Sequence, residues 1–164
     1  MIALDLPLRA QAPAEYQVKA AFLYNFAKFV EWPAADSHST FCIGILGTDP
    51  FGHQIEETLA GKTLNGRPVT ITRYARPEEA LACQVVFVAA PAASLKSVLR
   101  LLGEKAVLTV GDAPSFCQSG GIIGFQVADQ KIRFAINVEA AERAQLKLSS
   151  KLLSLAAEVV GKRR

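Results

Sequence analysis

The chain has 164 residues, 51% of them apolar, and a formal net charge of +3. That length supports one domain burying about 70% of its unfolded surface, and no second domain is expected. Three of the positive charges, Lys162, Arg163 and Arg164, sit together at the C-terminal end. The body is therefore near neutral, which argues against a nucleic-acid binder with its basic face. No apolar run reaches the roughly 18 residues that span a bilayer; the longest, Val85 to Ala93, is broken by Pro91.

Met1 to Arg9 is a short leucine-rich stub followed by Ala10-Gln11-Ala12, a small-residue pattern of the kind signal peptidase reads. Residues 1–12 are expected to be the remnant of an export signal or an end outside the fold, with the domain spanning 13–164. Next comes a helix within Glu15 to Pro33. Val18, Phe22, Phe26, Phe29 and Val30 recur at helical spacing, Gln17, Lys19, Asn25 and Lys28 fall elsewhere on the wheel, and Pro33 predicts an end near Trp32. Its aromatic residues, Phe22, Tyr24, Phe26, Phe29 and Trp32, exceed what one face of a small sheet readily covers, so they are candidates for self-association.

After a polar link from Ala34 to Thr40, Phe41 to Leu46 reads as a buried strand. Ile55 to Leu59 reads as a short helix stopped by Gly61. Asn65-Gly66 marks a turn before the alternating strand around Val69 to Ile71. Pro77 followed by Glu78 and Glu79 is a helix start, because proline suits the first turn and carboxylates suit the positive end of the dipole. Gln84 to Ala89 is a second buried strand, Leu95 to Leu102 a helix stopped by Gly103, and Ala106 to Val110 a third strand. Ile122 to Val127 and Ile132 to Val138 flank Asp129-Gln130 as an antiparallel hairpin, with Phe125 across from Arg133 to Ala135. Glu139 to Val160 is expected to be mostly helical, with a kink near Ser149-Ser150. The alternation predicts a single α/β domain: a mostly parallel sheet flanked by helices, ending in an antiparallel hairpin and a C-terminal helix.

Little in the sequence points to catalysis. Gly44 and Gly47 follow a strand but lack the third glycine of a dinucleotide turn, and no lysine followed by serine or threonine makes a phosphate loop. His38 and His53 have no cysteine or acid at metal-ligand spacing, so neither a metal nor a cofactor is expected. The acidic pairs Glu56-Glu57 and Glu78-Glu79 read as solvated helix faces. Cys42, Cys83 and Cys117 are an odd count that admits one bridge with a leftover thiol, or none. Cys42 and Cys83 both open strands, so a bridge between them is plausible if those strands are neighbours; two buried free thiols are the other reading. In RFAIN, Phe134 and Ile136 are expected to face the core while Arg133, Ala135 and Asn137 face out.

The blocks AAFLYNFAKFVEWP, FCIGILGTDPFG, CQVVFVA, VLTVGD, FCQSGGIIGF, RFAIN and SSKLLSLA, in that order, resemble the YfiR-like family of small bacterial periplasmic proteins. The resemblance covers about Glu15 to Val160. It implies a non-catalytic regulator that binds and represses the periplasmic domain of a membrane-bound diguanylate cyclase, and so controls cyclic-di-GMP levels and biofilm formation. It favours a Cys42–Cys83 bridge. It leaves Cys117 unpaired, because Gly120, Gly121 and Gly124 occupy the stretch where relatives carry a further cysteine. It implies a homodimer, for which Phe22, Phe26, Phe29 and Trp32 are the candidates. It also implies a partner surface on the hairpin and C-terminal helix, with Ile123, Phe125, Arg133, Ala135 and Asn137 as candidates; Ala135 stands where relatives commonly have glutamate. The alternative is a periplasmic protein that binds a small ligand in the crevice beyond the carboxyl ends of the parallel strands.

Overall fold

The computed structural model describes residues 8–33 and 38–161. The start of the expected leader, residues 1–7, part of the polar link, 34–37, and the basic end, 162–164, lie outside the described residues. Helix α1 spans Leu8–Lys28, so the expected processing boundary near Pro13 falls inside a helical segment.

In chain order there follow β1 (Val30–Glu31), β2 (Phe41–Gly47), α2 (Gln54–Leu59), β3 (Thr63–Leu64), β4 (Arg67–Tyr74), α3 (Pro77–Ala80) and β5 (Val85–Ala89). Then come α4 (Ala92–Leu102), β6 (Leu108–Gly111), β7 (Ile123–Ala128), β8 (Lys131–Asn137), α5 (Val138–Arg143), β9 (Lys147–Leu148), α6 (Ser150–Leu155) and β10 (Glu158–Val160). The main sheet has eight strands in the order β10-β8-β7-β6-β5-β2-β4-β3. Its centre, from β4 through β2, β5 and β6 to β7, is parallel, while β8 returns antiparallel to β7. The mostly parallel sheet and its terminal hairpin are as the sequence implies.

The apolar runs are continuous because both faces of the central strands are covered. Along β5, Val85 and Phe87 point into a core shared with α1 and α2, where Leu23, Phe26 and Ile55 are buried. Val86 and Val88 point the other way, onto Leu95, Leu99 and Leu102 of α4. Proline at the first turn starts α3, and Gly103 caps α4 as expected. Asn65 (φ 52°) and Gly66 (φ 77°) form the turn between β3 and β4, a left-handed pair that asparagine and glycine adopt at low cost.

Two expectations fail at the ends of helices. Helix α1 stops at Lys28 rather than near Trp32: β1 pairs antiparallel with β9, Val30 opposite Leu148, and Ser149 N–H donates to Phe29 O at 2.9 Å. Glu139 to Val160 is not mostly helical. It breaks into α5, β9, α6 and β10, and β10 adds to the sheet parallel to β8, with Val159 opposite Ile136. Leucines at near-helical spacing concealed a break that long-range pairing imposes.

Candidate functional site

The β7–β8 hairpin is built on Asp129 and Gln130, both left-handed (φ 53° and 62°), and its register places Phe125 opposite Phe134. Toward the turn, Gln126, Val127 and Arg133 are exposed; toward the sheet, both faces are covered. Ile123 (0%), Phe125 (5%), Ala135 (4%) and Asn137 (9%) are buried, so of the five partner-contact candidates only Arg133 lies on the surface. The outward orientation expected for Ala135 and Asn137 is therefore corrected. Alternation predicts exposure only when one face is solvated, and here the segment after β6 folds over the second face. Cys117 Sγ sits 3.5 Å from Ala135 O. Asn137 caps α5 by accepting from Ala140 N–H at 3.0 Å, and its Nδ2 donates to Cys117 O at 2.8 Å.

Helix α1 packs across the hairpin. Phe22 and Phe26 stack with centroids 5.6 Å apart, and both rings meet Phe125 and Phe134 at 4.9–6.0 Å. Phe26 is 2% exposed, so this dimer candidate is a core residue, while Phe22, Phe29 and Trp32 are half-buried. Trp32 packs edge-on against Phe41. The aromatic excess of α1 is thus largely consumed within the domain.

Beyond α1 the same apolar row runs out into solvent. Val127 (60%), Leu155 (59%) and Val159 (36%) are three of the four exposed large apolar side chains among the described residues. Val127 follows Phe125 on one face of β7, and Val159 lies beside Ile136 on the outermost strand. Ala157 N–H donates to Phe134 O at 2.9 Å, which seats the end of α6 beside the middle of β8. Leu155 and Val159 thus leave exposed apolar side chains just before and on the strand that ends the sheet.

The cysteines follow the resemblance. Cys42 and Cys83 form a disulfide with Cα atoms 4.7 Å apart, and Cys117 is free and buried. Burial pushes the Cys117 thiol up to about 11, leaving it protonated and a poor nucleophile at neutral pH. Phe116 beside it is clasped between Gly111 and Gly121, where a Cβ at either position would enter the ring.

The carboxyl end of the sheet carries a cluster that the sequence reading missed. Lys19, read as polar-face, is 2% exposed. Its Nζ donates to Glu15 Oε2 at 2.8 Å and Asp112 Oδ2 at 2.9 Å, and it lies 4.5 Å from the centre of the Tyr16 ring. Tyr16 O–H donates to the same Asp112 oxygen at 2.7 Å; burial, followed by this bond, raises the tyrosine pKa. The available signal was that Lys19 precedes Phe22 and Leu23 by three and four residues, on their side of the helix. Val18, placed in the apolar stripe, is 45% exposed instead. The crevice expected to admit a ligand is therefore partly roofed by α1, with Tyr16 edge-on to Phe51 and Phe51 edge-on to Phe87. Nearby, Arg73 of β4 binds Asp49 at 2.7 Å and Glu56 at 2.6 and 2.9 Å, and its bond to Glu56 lowers that carboxyl's pKa. His53 precedes α2 on the surface, and no group of three His, Cys, Asp or Glu side chains among the described residues gathers as a metal site.

Among solved structures, the chain is similar to a conserved domain protein from Vibrio cholerae O1 biovar eltor (TM-score 0.59, 10% identity, 88% of this chain and 60% of that one). It is also similar to an ABC domain in complex with L-Trp from Streptococcus pneumonia (TM-score 0.55, 14% identity, 86% of this chain and 60% of that one). The chain spans about 60% of the length of each, and at such identities the likeness is one of fold. No curated protein matches by sequence. The family model described as YfiR/HmsC-like matches residues 16–157, from the Tyr16 that helps roof the sheet to the residue just before β10. The chain belongs to the YfiR/HmsC-like family, whose members are known as periplasmic regulators of cyclic-di-GMP signalling.

Proposed function

We propose that this protein is a periplasmic regulator that binds the periplasmic domain of a membrane-bound diguanylate cyclase and holds the enzyme inactive. Family membership supports the setting. The observation that carries the contact is the exposed apolar side chains at this end of the sheet: Val159 on β10, the terminal strand, Leu155 at the end of α6 just before it, and Val127 on β7 toward the hairpin turn. An apolar patch next to a strand edge is a common way to recruit another chain, because main-chain bonds supply affinity and side chains supply selection.

The role is binding without chemistry on a substrate. The family's regulatory character supports this, and the crevice partly roofed by α1 and the buried, protonated Cys117 thiol suit a binding role. Export, which the Ala10-Gln11-Ala12 pattern supports, would bring the protein to its partner.

The experiment is co-expression with a cyclase carrying a periplasmic sensor domain and encoded beside this chain. Cyclic-di-GMP is read in cells, and binding is read with the purified sensor domain. Repression together with direct binding supports the proposal. Normal export without either one overturns it.

A further inference from the structure

A cavity of about 550 Å³ opens between α4, the segment after β6 and α5, on the face of the sheet away from α1. Two buried polar side chains form part of its lining, Thr109 (2% exposed) and Asn137 (9%). Each has a donor left over. The Thr109 hydroxyl accepts from Ile122 N–H at 3.0 Å, and its own proton has no acceptor among the described residues. Asn137 Nδ2 spends one of its two hydrogens on Cys117 O. Buried donors without acceptors are costly, and a cavity that exposes two of them suits an acceptor ligand.

The charges around the cavity point the same way. Lys96 and Arg100 of α4 and Arg143 of α5 line it, and none of the three makes an ion pair among the described residues. Lys96 and Arg100 stand one turn apart, a like-charge spacing that weakens a helix unless something anionic lies between. The cations outnumber the lining carboxylates, Glu104 and Glu139, three to two. Leu99 and Ile122 add apolar wall, so the space accommodates an organic body as well as a charged head.

We infer that this cavity is a binding site for a small organic anion, its carboxylate or phosphate held by Arg100, Arg143 and Lys96 and by the free donors of Thr109 and Asn137. It is separate from the crevice at the carboxyl ends of the strands. It also adjoins the partner edge, because Asn137 pairs with Val160 of β10. A ligand here would bear on the strand that ends the sheet.

The test is titration of the isotope-labelled protein with phenyl phosphate, citrate and inorganic phosphate at constant ionic strength, followed by amide chemical shifts. At least one organic anion is expected to shift the amides of Thr109, Ser119, Gly120 and Ala140 saturably, with a Kd of about 1 mM or tighter. Inorganic phosphate is expected to bind more weakly. The double variant Arg100→Ala, Arg143→Ala, whose side chains are exposed, should melt as the parent does and weaken binding by about tenfold or more. No saturable shift at these amides with either organic anion overturns the inference, as do shifts unchanged in the double variant. Equal binding of inorganic phosphate overturns the organic body. The readout needs no cyclase, so it stands or falls apart from the regulatory reading.

Discussion

Lys19 Nζ lies 2.9 Å from Asp112 Oδ2, joining the first helix to the residue just beyond β6 through an ammonium that is almost wholly out of water. Buried ion pairs respond asymmetrically to substitution, because removing one partner strands the other charge. Asp112→Ala should cost about 3 kcal/mol, with Glu15 compensating only part of the stranded ammonium. Lys19→Met, which keeps the length of the side chain and leaves Asp112 with the Tyr16 hydroxyl, should cost about 1 kcal/mol or less. Denaturant titration of both variants checks this. Equal losses would mean that the pair is not the joint between helix and sheet.

The disulfide ties the first residues of β2 to the residues just before β5, neighbouring parallel strands separated by 41 residues in sequence. Closing a loop of that length stabilises by about 4 kcal/mol in the chain-entropy model. The Cys42→Ala, Cys83→Ala variant should therefore lose about 2–4 kcal/mol while keeping its fold. The parent should lose a similar amount in reductant, and the variant should not respond. Mass mapping of the oxidised parent should find these two residues linked.

Cys117 should resist alkylation in the native state at neutral pH and react promptly once the chain is unfolded. Unpaired as expected, the thiol is nonetheless shielded, because its sulfur is enclosed by the carbonyls of Ile122 and Ala135. Its titration also bears on stability. The thiol ionises near 9.0 in the absence of burial and at about 11 in the fold, so the unfolded chain releases the proton first as pH rises. The contribution is complete below pH 9.0 and is lost as pH climbs to about 11, up to about 3 kcal/mol. Subtracting the alkaline profile of Cys117→Ala from that of the parent isolates it.

What the sequence made legible was mostly local. Asn65-Gly66 and Asp129-Gln130 announced their turns, Pro77 and Gly103 their helix ends, and the hairpin pattern placed Phe125 across from the Arg133 to Ala135 region, within which Phe134 is its partner. What stayed hidden depended on partners distant in the chain. Glu158 to Val160 becomes a strand only because β8 offers it a free edge, and Val30 leaves α1 because Leu148 pairs with it. The candidate site was half legible for the same reason. The hairpin was placed correctly, but its exposed row was assigned by a two-residue period that fails once the Pro114 to Gly121 segment covers the second face. Lys19 shows the converse, a charge on the buried side of a helix because Asp112 waits at the end of another strand.

Ala135 and Asn137 consequently cannot serve as surface probes of partner binding. Ala135→Arg must force a charged side chain beneath Cys117 and should cost about 3 kcal/mol or more, so any loss of repression would reflect unfolding. Phe134→Ala should cost about 3–5 kcal/mol by leaving a cavity under Phe22 and Phe26. The informative changes lie on the exposed edge. Val127→Asp combined with Leu155→Asp should leave stability within about 1 kcal/mol of the parent, because both side chains are more than half exposed. Binding of the cyclase sensor domain should weaken by about 2 kcal/mol or more, and cyclic-di-GMP should rise in cells. Thermal melting, run beside the binding and cellular measurements, separates the two classes of variant. If the double variant folds, reaches the periplasm and represses fully, the edge formed by the hairpin and β10 is not the contact surface.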